Sequence, residues 1–145
     1  MKYRHLLIDN DNTLMDFHAA EHAALREALT EAGIEPNDAV CARYSAINDA
    51  LWKALERGET THAALKIARF AQLLEEYPAE NVCAPRLALR YSHYLGTHAD
   101  LMPGAEAFLR RLHGQMKIVL VSNGDSVIQR NRLFRCVFTP LLDNI

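Results

Sequence analysis

The chain has 145 residues, of which 50% are hydrophobic, and its formal net charge is −2 at pH 7. That length can bury one sizeable core, and the slightly negative charge gives no electrostatic reason to expect nucleic acid or an anionic membrane as a partner. No apolar stretch approaches the roughly 20 residues that cross a bilayer, and the first residues lack the apolar segment of a signal peptide, so we expect a cytoplasmic location.

A short apolar run near the amino terminus predicts the first strand. It consists of Leu6, Leu7 and Ile8, and Asp9-Asn10-Asp11-Asn12-Thr13 follows it directly. Open α/β sheets carry their chemistry at the carboxyl ends of the strands, and Asp9 and Asp11 would point to the same side of an extended chain. Two such carboxylates can hold Mg²⁺ and divide the roles of nucleophile and acid. Alternatively, they only cap a strand-to-loop turn.

Helical periodicity and capping residues predict a group of four helices between residues 16 and 98. Their spans are about His18–Ala32, Val40–Leu55, Ala64–Leu74 and Asn81–Leu95. Asp16 would cap the first helix, and Thr60 or Thr61 the third. Gly33 and Gly58 would end the first and second. These helices form a cap inserted after the first strand.

The remaining segment, 99–145, returns to an alternating helix and strand pattern. Ala105 to His113 is predicted as a helix, and the apolar run Lys117 to Val121 as a parallel strand that ends in Ser122-Asn123-Gly124. A helix from Ser126 to Arg135 follows, for which Ser122 is an alternative N-cap. We therefore predict an α/β fold with core segments 1–15 and 99–145 and a helical cap at 16–98.

The Asp-x-Asp-x-Thr-Leu pattern of residues 9–14 resembles the first motif of the haloacid dehalogenase superfamily, and the strand that ends at Ser122 resembles its second motif. The resemblance implies a Rossmann-like core and hydrolysis of a phosphate monoester. It implies that Asp9 is the nucleophile that forms an aspartyl-phosphate and that Asp11 is the acid and base, with Mg²⁺ held at both. Thr13, Ser122 and Asn123 would orient the phosphoryl group. Asp11 favours phosphate over halide substrates, since a halide leaving group needs no proton.

The cap resembles that of the bacterial 5′-nucleotidases that act on pyrimidine nucleotides. The similar segments are Tyr44 to Trp52, Gly58-Glu59-Thr60-Thr61 and Ala68-Arg69-Phe70. The resemblance implies a nucleoside 5′-monophosphate as the small-molecule substrate. Asn48, Trp52 and Arg69 are the cap residues most able to contact it, through amide hydrogen bonds, base stacking or phosphate contact. Alternatively, Trp52 is a packing residue and Arg69 a solvated or ion-paired surface group.

The sequence departs from the superfamily pattern in two motifs. The third supplies a lysine and the fourth supplies further acids for the magnesium site; both normally lie beyond the position of Ile145, and neither is present. Lys53, Lys66 and Lys117 do not match the lysine by position. We hypothesise a truncated or frameshifted nucleotidase with a sheet incomplete at its carboxyl-terminal end. Its magnesium site would be weak, and a homodimer or swapped oligomer would cover the open edge at Leu6 to Ile8.

Two alternatives to a working phosphatase remain open. The first is a non-catalytic protein that acts as a binding partner. The second, more remote, is a zinc peptidase, because His18-Ala19-Ala20-Glu21-His22 fits the His-x-x-Glu-His spacing of the inverted zinc peptidases. The three cysteines form no Cys-x-x-Cys pair, which predicts reduced, mostly buried thiols rather than disulfides or a thiolate zinc site. They are Cys41, Cys83 and Cys136.

Overall fold

The computed structural model describes residues 2–145. Its elements, in chain order, are β1 (His5–Asp9), α1 (Phe17–Glu31), α2 (Asp38–Glu56), α3 (His62–Glu76), α4 (Ala84–Leu95), α5 (Ala105–Leu112), β2 (Lys117–Val121), α6 (Ser126–Phe134) and a 3-10 turn (Thr139–Leu141). The chain divides into two compact units. The core unit combines the segment that ends at Glu21 with Leu95–Ile145, and the helical unit is His22–Tyr94.

The core unit is built on a parallel pair of strands. β1 pairs with β2 in a register that runs from His5 opposite Lys117 to Asp9 opposite Val121. Because the strands are parallel, the loops that follow Asp9 and Val121 leave the sheet at the same edge. The backbone of Asn144 lies along the other side of β2, where its carbonyl accepts from the Leu120 N–H at 3.0 Å. The predicted α/β fold with a parallel sheet is confirmed.

Only one face of this sheet is covered by the core unit. Ile118 and Leu120 point into a buried cluster with Leu109, Leu133 and Phe138 from the flanking helices and the carboxyl-terminal segment. The opposite face exposes apolar side chains, with Leu7 70% and Val121 51% exposed. The outer edge of β1 pairs with no strand among residues 2–145. The core unit thus presents an apolar sheet face and an open strand edge.

The helical unit is organised around an aromatic cluster. The rings of Tyr44, Phe70 and Tyr91, from α2, α3 and α4, have centroids 5.3–5.9 Å apart and are fully buried. The predicted cap of the third helix is Thr61, whose hydroxyl accepts from the Ala64 N–H at 3.2 Å. No helix within residues 2–145 is long and apolar enough to cross a bilayer.

Candidate active site

The loop after β1 is a tight turn that wraps around one carbonyl group. The Asn10 carbonyl accepts from the N–H groups of Thr13, Leu14 and Met15 at 3.2, 2.9 and 3.0 Å. Asn12 adopts a left-handed backbone with φ of 59°, which asparagine tolerates better than most residues. Its side-chain Oδ1 accepts from the N–H groups of Phe17 and His18, which fixes the loop to the start of α1. Asp16 also caps α1, as predicted.

Asp9 is the last residue of β1 and is exposed. Its Oδ2 accepts from the Thr13 hydroxyl at 3.1 Å, so the first and fifth residues of the predicted motif are in contact. This bond fixes one carboxylate oxygen of Asp9. An exposed carboxylate at the carboxyl end of a parallel strand can reach a ligand that lies over the sheet edge.

Asp11 is held on both carboxylate oxygens by residues of α6. Arg132 Nη1 donates to Oδ1 at 2.6 Å, and Gln129 Nε2 donates to Oδ2 at 2.6 Å. The Arg132 side chain is fully buried, whereas the Asp11 side chain is 25% exposed. Arg132 Nε also donates to the His98 carbonyl at 3.0 Å. Asp11 is therefore firmly oriented while part of it stays open to solvent.

Gln129 joins Asp11 to Ser122, the serine at the end of β2. Its Nε2 donates to Ser122 Oγ at 3.0 Å as well as to Asp11, and Gln129 is itself buried. The structure thus brings Asp9, Asp11, Thr13 and Ser122 to the same edge of the sheet. Asn123 lies next to Ser122 in the chain and is exposed.

The alternative role of Ser122 as a helix cap is wrong. The N-cap of α6 is Asp125, whose Oδ1 accepts from the N–H groups of Val127 and Ile128 at 3.0 and 3.2 Å. Ser122 Oγ instead accepts from the Gly124 N–H at 3.1 Å inside the loop. The serine hydroxyl is left at the site because an aspartate three residues later caps the helix.

Gln129 and Arg132 are site residues that the sequence analysis missed. They lie three positions apart on α6 and precede the buried Leu133, so both occupy the buried face of that helix. The available signal was that these two polar residues share a helix face with the apolar Leu133. Such residues are seldom buried unless they are paired, and here the partner is Asp11.

Within residues 2–145, no group of three or more His, Cys, Asp or Glu side chains is placed to hold a metal ion. His18, Glu21 and His22 therefore form no three-ligand site, and His18 and His22 are exposed on α1. The zinc peptidase alternative thus gains no support from the described residues. Asp9 and Asp11 supply carboxylate oxygens at one sheet edge, the donor type that Mg²⁺ prefers, but only part of a full ligand set.

The three predicted cap residues all belong to the helical unit. Asn48 and Arg69 are each 7% exposed and contact each other, since Arg69 Nη1 donates to Asn48 Oδ1 at 3.2 Å. The Arg69 guanidinium lies 4.7 Å from the centre of the Tyr91 ring. The alternative of a solvated or ion-paired Arg69 is therefore wrong. Trp52 is partly buried and meets the His62 ring edge-on at 5.5 Å. The substrate role of these three residues stays a prediction.

A parallel strand pair that delivers two aspartates and a serine to one edge defines a Rossmann-like α/β domain with a carboxylate-centred site. The sequence model of the haloacid dehalogenase-like hydrolases matches residues 3–139. The chain belongs to this family, as the resemblance of its two motifs predicts.

Three known proteins are similar to this chain in sequence over nearly its whole length. The HAD-hydrolase YfnB of Bacillus subtilis is 37% identical over 144 residues, which are 99% of this chain and 61% of YfnB. The pyrimidine 5′-nucleotidases PynA of Streptococcus pneumoniae and YjjG of Escherichia coli are 34% and 27% identical, and the matches cover 61% and 58% of their lengths. The chain thus spans about three-fifths of the relatives it matches.

Solved structures show the same fold. The crystal structure of magnesium-bound Bacillus subtilis YfnB superposes with a TM-score of 0.93 and 34% identity, over all of this chain and 63% of that one. A β-phosphoglucomutase from Thermotoga maritima superposes with a TM-score of 0.71 at 14% identity, which shows a shared fold only. These superpositions confirm the predicted fold class over almost the whole chain.

Proposed function

We propose that this chain carries the part of a phosphate monoester hydrolase active site that the first two motifs supply, with Asp9 as the nucleophile. The observation that carries the proposal is the placement of Asp9, Asp11 and Ser122 at one sheet edge, with Gln129 hydrogen-bonded to both Asp11 and Ser122. A carboxylate nucleophile divides one hard displacement into two easier ones.

In the first step, an Asp9 oxygen forms a bond to phosphorus as the ester P–O bond breaks. Asp11 is paired with Arg132 in this structure, so the proposed step requires Asp11 to be protonated in the substrate complex, where it gives that proton to the leaving alcohol oxygen. In the second step, water attacks the aspartyl-phosphate, Asp11 takes a proton from that water, and orthophosphate leaves with the Asp9 carboxylate restored. The Thr13 hydroxyl, the Ser122 hydroxyl and Asn123 orient the phosphoryl oxygens, whose charge polar donors stabilise.

We propose Mg²⁺ as the cofactor, held by the Asp9 carboxylate and the main-chain carbonyl of Asp11. The oxygen donors fit this ion, and the Bacillus subtilis relative was crystallised with magnesium bound. When bound, Mg²⁺ would neutralise part of the phosphate charge. Residues 2–145 contain no third carboxylate beside the pair. We therefore expect this chain alone to bind Mg²⁺ weakly, because water must complete the ligand set.

We propose a nucleoside 5′-monophosphate, with a pyrimidine base, as the substrate. Two relatives at 34% and 27% identity are pyrimidine 5′-nucleotidases, and both are matched along nearly all of this chain. Asn48, Trp52 and Arg69 are the proposed contacts in the helical unit. A buried guanidinium with an amide beside it offers donors suited to a phosphate or to a base carbonyl.

The second candidate function is phosphate binding without turnover. It is favoured by the placement of Ser122 beside the aspartate pair in a site where, within residues 2–145, no group of three or more His, Cys, Asp or Glu side chains could hold a metal ion. Such a protein would bind phosphate esters as a partner or regulatory subunit.

The test is magnesium-dependent phosphate release by the wild-type chain and by Asp9→Asn, measured with an aryl phosphate and with pyrimidine nucleoside monophosphates. Asp49→Asn is the matched control, because Asp49 is an exposed acid on α2. Turnover that is lost in Asp9→Asn and kept in Asp49→Asn supports the hydrolase. Nucleotide binding without release of phosphate in any variant supports the second candidate. Turnover that survives in Asp9→Asn would contradict the assigned nucleophile.

A further inference from the structure

The orientation of the Gln129 amide follows from its neighbours. Gln129 Oε1 accepts from Arg132 Nη1 at 3.1 Å and from Asn10 Nδ2 at 2.9 Å. A guanidinium has donors only, so the atom of Gln129 that faces Arg132 must be the carbonyl oxygen. The amide nitrogen is thereby turned the other way, and its two protons meet Asp11 Oδ2 and Ser122 Oγ. Every donor and acceptor of the Gln129 amide is used within the network.

This orientation has a consequence for Ser122. A serine hydroxyl has two lone pairs and one proton. Its oxygen accepts from Gln129 Nε2 at 3.0 Å and from the Gly124 N–H at 3.1 Å, which occupies both lone pairs. Within residues 2–145 the hydroxyl proton is given to no acceptor that the structure records. The hydroxyl can therefore act only as a donor toward a bound group.

Gly124 supplies an independent observation on the same contact. A Cβ atom at this position would lie 2.6 Å from Gln129 Nε2 and 3.3 Å from Ser122 Oγ. A side chain at 124 would displace the Gln129 amide, which is buried and held by its hydrogen bonds and so cannot simply swing away. The backbone of Gly124 is not in the left-handed region, so close approach, not backbone conformation, is what excludes a side chain here.

We infer that Gln129 is a positioning residue that makes Ser122 an obligate hydrogen-bond donor to the phosphoryl group and fixes Asp11 beside it. Position 124 must be glycine because any side chain there would displace the Gln129 amide. The inference rests on the proposed phosphate site. Gln129 would act through Ser122 and Asp11 and need not touch the phosphoryl group itself. If Ser122 Oγ could accept instead, it would face the phosphoryl oxygens lone pair to lone pair, which is unfavourable.

The functional test is the affinity of the full chain for inorganic phosphate, measured by calorimetry in four variants. Gln129→Met should weaken phosphate binding by about tenfold, the usual scale for a hydrogen bond to a charged group. In the Ser122→Ala background, the same change should weaken binding less, because only the contact of Gln129 with Asp11 is then left to lose. Asn131→Ala, an exposed position on α6, is the control and should bind like the wild type. An equal effect of Gln129→Met in both backgrounds would overturn the inference.

A second measurement separates this inference from the phosphate site itself. The side-chain amide protons of Gln129 are read by NMR in the chain without ligand. In the wild type they should exchange slowly, and one of them should shift in Ser122→Ala and the other in Asp11→Asn. Gly124→Ala should make both resemble a solvent-exposed amide. If the wild-type chain binds no phosphate but these shifts appear, the network stands and the proposed function fails. If the protons are insensitive to both substitutions, the inference is wrong, whatever the chain binds.

Discussion

Asp11→Ala should be far more destabilising than Asp9→Ala, although the two aspartates are two residues apart. The reason is Arg132, whose side chain is fully buried and whose Nη1 lies 2.6 Å from Asp11 Oδ1. Without Asp11 the guanidinium keeps the His98 carbonyl and Gln129 Oε1 as acceptors, but neither of these groups carries a charge that balances its own. Removing one member of a buried ion pair costs about 3–5 kcal/mol, and the partial exposure of Asp11 places this case near 3 kcal/mol.

Asp9 is the matched control for this prediction. It is exposed and makes one side-chain hydrogen bond, from Thr13 at 3.1 Å, so Asp9→Ala should change the free energy of unfolding by less than about 1 kcal/mol. Arg132→Met removes the buried cation that Asp11→Ala leaves without its counter-charge. We therefore expect the double variant Asp11→Ala/Arg132→Met to be more stable than Asp11→Ala alone.

The assay is urea unfolding followed by circular dichroism, with the free energy of unfolding taken by linear extrapolation. If Asp11→Ala and Asp9→Ala unfold within about 1 kcal/mol of each other, the buried ion pair contributes little and the reasoning is refuted. The result also bears on any activity assay, because an inactive Asp11 variant must first be shown to be folded.

Three further predictions concern other parts of the chain. Burial raises the pKa of the Cys41 and Cys136 thiols, so at about pH 8 a thiol reagent should modify the exposed Cys83 quickly and the other two slowly, and Cys83→Ser should abolish the fast phase. If a second copy covers the exposed sheet face, Leu7→Lys on that face should lower the molecular mass measured by light scattering. A monomer mass for both the wild type and Leu7→Lys would exclude the proposed oligomer. Thr61→Ala should cost about 1 kcal/mol of unfolding free energy by removing the N-cap of α3, an effect that vanishes if the cap is dispensable.

The elements that could be predicted from sequence are those whose bounds are set by residues within or next to the element. The strand Lys117–Val121 was predicted to the residue, because a β-branched run between a turn and Ser122-Asn123-Gly124 leaves little freedom in its bounds. The helix predicted from Asn81 begins instead at Ala84, and Asn81 has a left-handed backbone with φ of 58°, which is incompatible with a helical residue. Pro85 lies in the first turn of this helix, where a missing N–H costs no intrahelical hydrogen bond.

The part of the site that could not be predicted depends on contacts between residues that lie far apart in the sequence. Gln129 and Arg132 meet Asp11 across 118 and 121 residues of sequence, and no local pattern specifies that contact. The motif resemblance placed Asp11 and Ser122 at one edge, but it carried no information about the side chains behind them. A buried polar residue is recognised only when its partner is known.

The two buried arginines show why the partner, and not the residue type, decides the role. Arg69 donates to Asn48 Oδ1, and its guanidinium lies 4.7–5.9 Å from the ring centres of Tyr44, Phe70 and Tyr91, so cation–π contacts contribute to holding it. Arg132 is held by the Asp11 carboxylate and the His98 carbonyl through two different nitrogens. A lysine at 132 could keep the charge pair but not both contacts, whereas a lysine at 69 would lose the planar group that fits the rings. Arg→Lys should therefore impair the packing of the helical unit at 69 and the orientation of Asp11 at 132, and the two effects are separable because they arise in different units of the chain.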